Sequence, residues 1–274
     1  MQLLTDKVIF LTGGTEGIGY ECAKAYHKAG ARVSIITHKQ YSLEQCRLKF
    51  SNQNIHYILC DVANPGDVQR AIEDTVSRFG KIDVIHNNAG VSSPSKTLCD
   101  TTDEEWEKVF NVNVKGIYHT AKYGIGALKS TKGTILNTGS LVGSIGQELH
   151  AAYTATKGAV NALTKSMALD YANYGIRVNA VAPAGVWTPM LRRWSNQQPN
   201  VASIESYLNE IHPLGYCPEG DVVADACVFL VSDQARFITG CILPVSGGAE
   251  LGYRKNIGHA PKNSDTVLPV DNKA

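Results

Sequence analysis

The chain has 274 residues, is 43% apolar and 19% charged, and carries a formal net charge of +1. That balance suits one large or two small globular units. It offers neither the basic excess that nucleic acid selects nor a run of about 18 apolar residues able to span a membrane. The opening stretch, Met1 to Lys7, has no apolar signal-peptide core. The seven cysteines (22, 46, 60, 99, 217, 227 and 241) are scattered, with no Cys-x-x-Cys and no metal-ligand spacing. They read as reduced thiols of a cytoplasmic protein without a structural metal.

Val8 to Thr12 is an unbroken apolar run of strand length, as a strand buried on both faces requires. It runs into Gly13, Gly17 and Gly19, and a helical pattern continues to Ala29. Strand, glycine-rich turn and helix is the arrangement in which backbone N–H groups at a helix N-terminus receive a pyrophosphate, with a plain glycine turn as the alternative. Strands are predicted at Arg32–Ile36, Ile55–Cys60 and Ile82–His86, and helices over 43–50 and 65–79, the latter started by Asn64 and Pro65. The segment 103–129 reads as one long helix. Gly133 to Asn137 is apolar, and a helix-forming segment with Tyr153 and Lys157 follows. Ile176–Val181 is a sixth strand, 218–232 a helix and Cys241–Val245 a last strand. The alternation predicts an α/β fold: a Rossmann-like, doubly wound parallel sheet of about seven strands with helices on both faces. Residues 1–253 read as one domain. Its polar stretch at about 188–214, with Trp194, Asn196, Gln197, Gln198 and His212, is placed as a substrate lid. The polar tail 254–274, with Pro261 and Pro269, is expected to be loosely ordered.

Tyr153 and Lys157 stand four residues apart and share a helix face. An ammonium beside a phenol favours the phenolate, drawing its pKa from about 10 toward neutrality, where it exchanges a proton with an alcohol or a carbonyl. Ser140, just past the preceding strand, is placed to hold the reacting oxygen. Read alone, the pair is a weak signal, since surface tyrosines and lysines meet at this spacing by chance. Asp61 and Val62, and Asn87 to Gly90, fall at strand C-terminal ends, where open sheets bind ligands, though turns and caps explain them equally.

In combination these motifs are specific. Thr12 to Gly19, Asp61, Asn87 to Gly90, Asn113, Ser140, Tyr153 with Lys157, and Pro183 to Gly185 resemble the short-chain dehydrogenase/reductase family in order and spacing, over roughly residues 5–250. The resemblance implies a catalytic tetrad. Tyr153 would be the acid/base, Lys157 would lower its pKa and hold the nicotinamide ribose, and Ser140 would orient the substrate oxygen. Asn113 would sit at a break in the long helix and hold a water. It also implies that Thr12, Gly13, Gly17, Ile18 and Gly19 wrap the pyrophosphate of NAD or NADP. Asp61 and Val62 would flank the adenine, Asn88 and Gly90 would lie along the adenosine ribose, and Val186 and Thr188 would hold the carboxamide. Oxidation would pass a hydride from an alcohol carbon to the nicotinamide as Tyr153 takes the hydroxyl proton.

Two departures from the family pattern matter. Ala184 is inserted into the usual Pro-Gly dipeptide, which loosens the assignment of that loop. Thr37 stands where NAD-preferring members place an aspartate, and His38 or Lys39 could attract a 2′-phosphate, yet Glu16 in the glycine loop opposes one. Cofactor choice therefore stays open between NAD and NADP. Ser140 to Gln147, Val186 to Pro189 and Gly247 to Tyr253 are similar to the branch holding 17β-hydroxysteroid dehydrogenase type 14 and L-fucose dehydrogenases. That likeness implies a secondary-alcohol substrate faced by Gln147 and His150, with the polar lid favouring a sugar or polyol over a steroid. A dinucleotide sensor without chemistry is the reading from another class. The resemblance also implies a homotetramer, paired through long helices whose small residues (Ala151, Ala155, Gly158, Ala159 and Ala162) allow close packing.

Overall fold

Strand β1 (Val8–Thr12) is buried along its whole length because both faces of its sheet are covered. In the computed structural model, which describes residues 2–50, 52–198 and 200–252, its side chains alternate between two apolar layers. Ile9 and Leu11 join one layer with Cys22 and Tyr26 of α1 (Gly17–Lys28) and Val223 and Cys227 of α9 (Asp221–Val231). Phe10 joins the other layer. There it meets Val68 and Ile72 of α3 (Pro65–Phe79), Ile117 of α5 (Gly116–Thr131) and Val160 of α6 (Ala151–Tyr171).

The remaining strands are β2 (Arg32–Thr37), β3 (Ile55–Leu59), β4 (Val84–Asn87), β5 (Thr134–Thr138), β6 (Arg177–Pro183) and β7 (Ile242–Val245). All pair in parallel, in the order β3-β2-β1-β4-β5-β6-β7. This is the Rossmann-like doubly wound sheet read from the sequence. The order reverses between β1 and β4, the place where doubly wound sheets bind ligands beyond the strand C-termini. Helix α2 (Gln40–Lys49) and α4 (Asp103–Phe110) complete the part before the site. Among the described residues, no helix is long and apolar enough to cross a membrane.

Several boundaries differ from expectation; α2 starts at Gln40 rather than 43, and α9 at Asp221 rather than 218. β4 starts at Val84, after Ile82. The segment 103–129 is not one helix, because a π-turn at Asn111–Lys115 separates α4 from α5. The stretch expected as a polar lid contains α7 (Pro189–Ser195) and α8 (Val201–Glu210), which bury Ser195 and Leu208. The tail 254–274 lies outside the described residues.

A buried polar ladder ties the site-bearing elements together. The Thr120 hydroxyl on α5 donates to Asn87 Oδ1 at 2.6 Å, and Asn87 Nδ2 donates to Asn137 Oδ1 at 2.9 Å. Asn137 Nδ2 then donates to Thr164 Oγ1 on α6, again at 2.9 Å. Each link satisfies a group that would otherwise be orphaned in the core. Asn137→Ala strands Asn87 Nδ2, while the Thr164 hydroxyl keeps its bond to the Val160 carbonyl, and is expected to cost about 2 kcal/mol. Urea denaturation checks this, and a loss under about 1 kcal/mol would show that the ladder does not hold α6 to the sheet.

Candidate active site

The glycine loop leaves β1 at the reversal of strand order. Thr12 Oγ1 accepts from the backbone N–H groups of Asn88 and Ala89, each at 3.0 Å. Asn88 answers through its side chain, donating from Nδ2 to the carbonyls of Thr12 (3.1 Å) and Gly13 (3.0 Å). The ends of β1 and β4 are thereby clamped together. Gly13 and Gly17 adopt φ of +64° and +56°, which side chains resist. A Cβ on Gly19 would lie 2.1 Å from the Gly13 carbonyl oxygen, so only glycine lets α1 start this close to the loop. Glu16 occupies the N-cap of α1 without making a side-chain cap. The first-turn N–H donors therefore have no capping acceptor from it, and Ile18 stands half-buried among them. A phosphate fits that donor set.

Helix α6 carries the reacting groups. Lys157 is 5% exposed, and its ammonium donates to the Thr138 carbonyl at 2.8 Å. Among the described residues that carbonyl is the acceptor Lys157 meets, which leaves two N–H donors for a ligand. Burial without a carboxylate lowers its pKa to about 8. The Nζ lies 5.6 Å from the Tyr153 ring centroid and 3.8 Å from where a Cβ on Gly90 would be. Tyr153, half-buried, stands beside Ser140. The Ser140 hydroxyl also faces the Pro183 carbonyl at 3.5 Å and accepts from Val142 N–H at 3.4 Å.

One electrostatic expectation is reversed. Burial raises the Tyr153 phenol above its ordinary value, with the Ser140 hydrogen bond pulling the other way. Lys157 is turned toward Thr138 and does not offset that burial. Asn113 sits in the π-turn, 2% exposed. Its Oδ1 accepts from Val91 N–H (2.8 Å), and its Nδ2 donates to the Val91 carbonyl (2.9 Å) and Thr156 Oγ1 (3.1 Å). The side chain thus fastens the loop after Gly90 to α6.

The adenosine side is more open. Asp61 is exposed, while Val62 is buried with its carbonyl against His119 Nδ1 at 2.9 Å. Thr37 is buried and accepts from Lys39 N–H at 3.3 Å. His38 is exposed. Lys39 Nζ pairs with Glu16 Oε1 at 2.9 Å, so the two residues that pulled cofactor choice in opposite directions neutralise each other. Val186 is buried, and Thr188 caps α7 by accepting from Leu191 N–H at 3.1 Å. A Cβ on Gly17 would meet Thr188 at 3.3 Å, so the glycine loop and the start of α7 face each other closely.

The substrate-side residues are less convergent. Gln147 is exposed on the loop before α6. His150 is buried with both nitrogens engaged, Nε2 with Ser95 Oγ (3.3 Å) and Nδ1 with the Glu148 carbonyl (3.0 Å). Asn196 and Gln197 are exposed. His212 is buried and lines a groove of about 250 Å³ with Tyr216, Ser246 and Glu250, whose lining includes neither Ser140 nor Tyr153. Thr138 and Thr156 were not legible as site residues. Thr138 acts through its carbonyl, which no side-chain motif records.

The chain matches, over residues 13–250, a family model described as enoyl-(acyl carrier protein) reductase. It is 37% identical over 266 residues to the L-fucose dehydrogenase of Bos taurus, covering 96% of each chain. The aldohexose dehydrogenase of Thermoplasma acidophilum superposes with a TM-score of 0.83 at 32% identity, covering 94% of this chain and 98% of that one. The 3-ketoacyl-(acyl-carrier-protein) reductase of Brucella melitensis, solved with NADH, gives 0.83 at 31% identity over 90% and 99%.

The buried ammonium makes stability depend on pH. Its folded value of about 8 lies below the ordinary 10.5 of lysine. Between the two values the unfolded chain binds more protons, so stability from this group rises with pH across that window, and its burial cost is full below it. Lys157→Met is therefore expected to stabilise the fold most near neutral pH and progressively less toward pH 10. Thermal midpoints of both proteins across that range check this, and a pH-independent difference would contradict it.

Proposed function

The chain belongs to the short-chain dehydrogenase/reductase family and is a nicotinamide-dependent oxidoreductase acting on alcohols, and from that premise we propose that its substrate is a sugar or polyol. The observation that carries the catalytic reading is the meeting of Ser140, Tyr153 and Lys157 beside Gly90, with two ammonium donors left for a ligand. The L-fucose dehydrogenase relative, matched along nearly its whole length, supports the sugar reading.

In the proposed reaction the nicotinamide dinucleotide, when bound, supplies the hydride acceptor for oxidation and the donor for reduction. Thr12, Gly13, Gly17, Ile18 and Gly19 hold its pyrophosphate at the α1 N-terminus. Asp61 and Val62 flank the adenine, Asn88 and Gly90 the adenosine ribose, and Val186 and Thr188 the carboxamide. Ser140 Oγ holds the substrate oxygen, and Tyr153 Oη takes or returns its proton. Lys157 turns its free donors to the nicotinamide ribose. Asn113 keeps the loop after Gly90 and α6 in register. Gln147 and His150 border the substrate, His150 through its position and not through a free nitrogen.

Residues 1–253 act in this reading as one unit, with α7 and α8 over the substrate. A cytoplasmic homotetramer fits the seven free thiols and the exposed Ala155, Ala162 and Leu169 on α6.

A panel of aldoses, polyols and a steroid alcohol, followed through the absorbance of the reduced nicotinamide with NAD and NADP in parallel, tests the substrate class. Turnover of sugars is expected, and turnover of the steroid alone would overturn that reading. Tyr153→Phe is expected to abolish turnover while dinucleotide affinity stays nearly unchanged, whereas Lys157→Ala is expected to lower both. Glu16→Gln releases Lys39 and is expected to improve NADP over NAD by about tenfold in relative kcat/KM, since a freed cation beside Thr37 attracts a 2′-phosphate. An unchanged ratio would remove Glu16 from cofactor choice.

A further inference from the structure

Beneath the glycine loop lies a polar cluster that the reaction does not use directly. His86, at the end of β4, is fully buried. Its Nδ1 lies 3.0 Å from the Tyr26 hydroxyl on α1, and its Nε2 lies 3.0 Å from Thr138 Oγ1 on β5. Thr138 Oγ1 in turn lies 3.3 Å from Asn88 Oδ1. Tyr26 also touches the Cys227 thiol, and Cys227 meets Cys22.

The donors and acceptors run in one direction only. Asn88 spends its Nδ2 protons on the carbonyls of Thr12 and Gly13, so its Oδ1 must accept. Among the described residues, the side-chain donor that reaches it is Thr138. A hydroxyl has one proton, so Thr138 Oγ1 must accept from His86 Nε2–H. The neutral ring then offers Nδ1 as acceptor, and Tyr26 donates to it. The network thereby assigns the Nε2–H tautomer. Burial lowers the His86 pKa to about 3, so the ring stays neutral and the direction does not reverse across working pH.

We infer that His86, fixed by Tyr26, is a positioning residue that acts through Thr138 on the dinucleotide-binding loop, with Thr138 as the junction. The Thr138 hydroxyl orients Asn88, which holds the carbonyls of Thr12 and Gly13. The carbonyl of the same residue holds the Lys157 ammonium. One residue thus couples the pyrophosphate loop to the lysine, and His86 sets its rotamer. The trio Cys22, His86 and Cys227 brings its ligand atoms within 4.8 Å of one another. It does not serve as a cation site in this arrangement, because both His86 nitrogens are engaged and burial pushes the Cys22 thiol up.

This inference rests on the dinucleotide reading of the loop, and its test separates the two. Affinity for NAD and NADP is measured calorimetrically on the full chain, alongside thermal stability without ligand. Thr138→Val keeps the shape and the carbonyl but breaks the chain of hydrogen bonds. It is expected to weaken dinucleotide binding about tenfold and to raise the dinucleotide KM more than it lowers kcat, while Thr138→Ser restores binding. Tyr26→Phe is expected to weaken binding less. In the ligand-free protein, nitrogen-15 shifts should show His86 as a neutral Nε2–H ring that does not titrate from pH 5 to pH 9. Variants that lose stability but bind as wild type does would reduce the cluster to core packing and overturn the inference. An Nδ1–H tautomer would overturn it too. Wild type that binds neither NAD nor NADP would instead overturn the dinucleotide reading, and this inference with it.

Discussion

The site depends on keeping an ammonium in a place where, among the described residues, no carboxylate neutralises it. Lys157 is buried on α6 and held by one neutral carbonyl, that of Thr138. A carboxylate partner would make the group easier to bury, but it would consume the donors a ligand needs. The structure accepts the desolvation cost, visible in a pKa lowered to about 8, and supports the lysine from the sheet. The ladder from Thr120 through Asn87 and Asn137 to Thr164 locks α6 against β4 and β5. Asn113 locks it against the loop after Gly90.

The same economy of neutral partners governs the glycine loop. Thr12 and Asn88 clamp the ends of β1 and β4 across the reversal of strand order, where a doubly wound sheet opens. Glu16 does not cap the start of α1 with its side chain, which leaves first-turn N–H groups for an anion. The clamp and the lysine meet at Thr138, whose two oxygens face the two halves of the site.

Much of this was legible in the sequence, for physical reasons. Buried parallel strands are continuous apolar runs, so β1, β2 and β6 were placed within about two residues. The glycines of the loop and the Tyr153–Lys157 spacing record backbone and helix geometry directly. Other features leave no such record. The Thr138 carbonyl is a backbone group, and His86 reads as an ordinary strand residue until the sheet brings Tyr26 and Thr138 to its two nitrogens. The raised Tyr153 phenol depends on burial and on which way Lys157 turns, and spacing contains neither. His150 was expected to face the substrate, and its two nitrogens are engaged by the Ser95 hydroxyl and the Glu148 carbonyl. The polar lid hid two short helices because several of their apolar residues, Met190, Val201 and Tyr207 among them, stay exposed and mark no buried stripe.

The central claim is that this site moves a hydride between an alcohol carbon and a nicotinamide. It is tested most directly by incubating the full chain and NAD or NADP with L-fucose and other aldoses carrying deuterium at C1. Nuclear magnetic resonance of the recovered dinucleotide then locates the label. The account predicts one deuterium at the nicotinamide C4 for at least one sugar, and none with Tyr153→Phe. Deuterium lost to solvent while the sugar is consumed, or label transferred equally well without the Tyr153 hydroxyl, would contradict it.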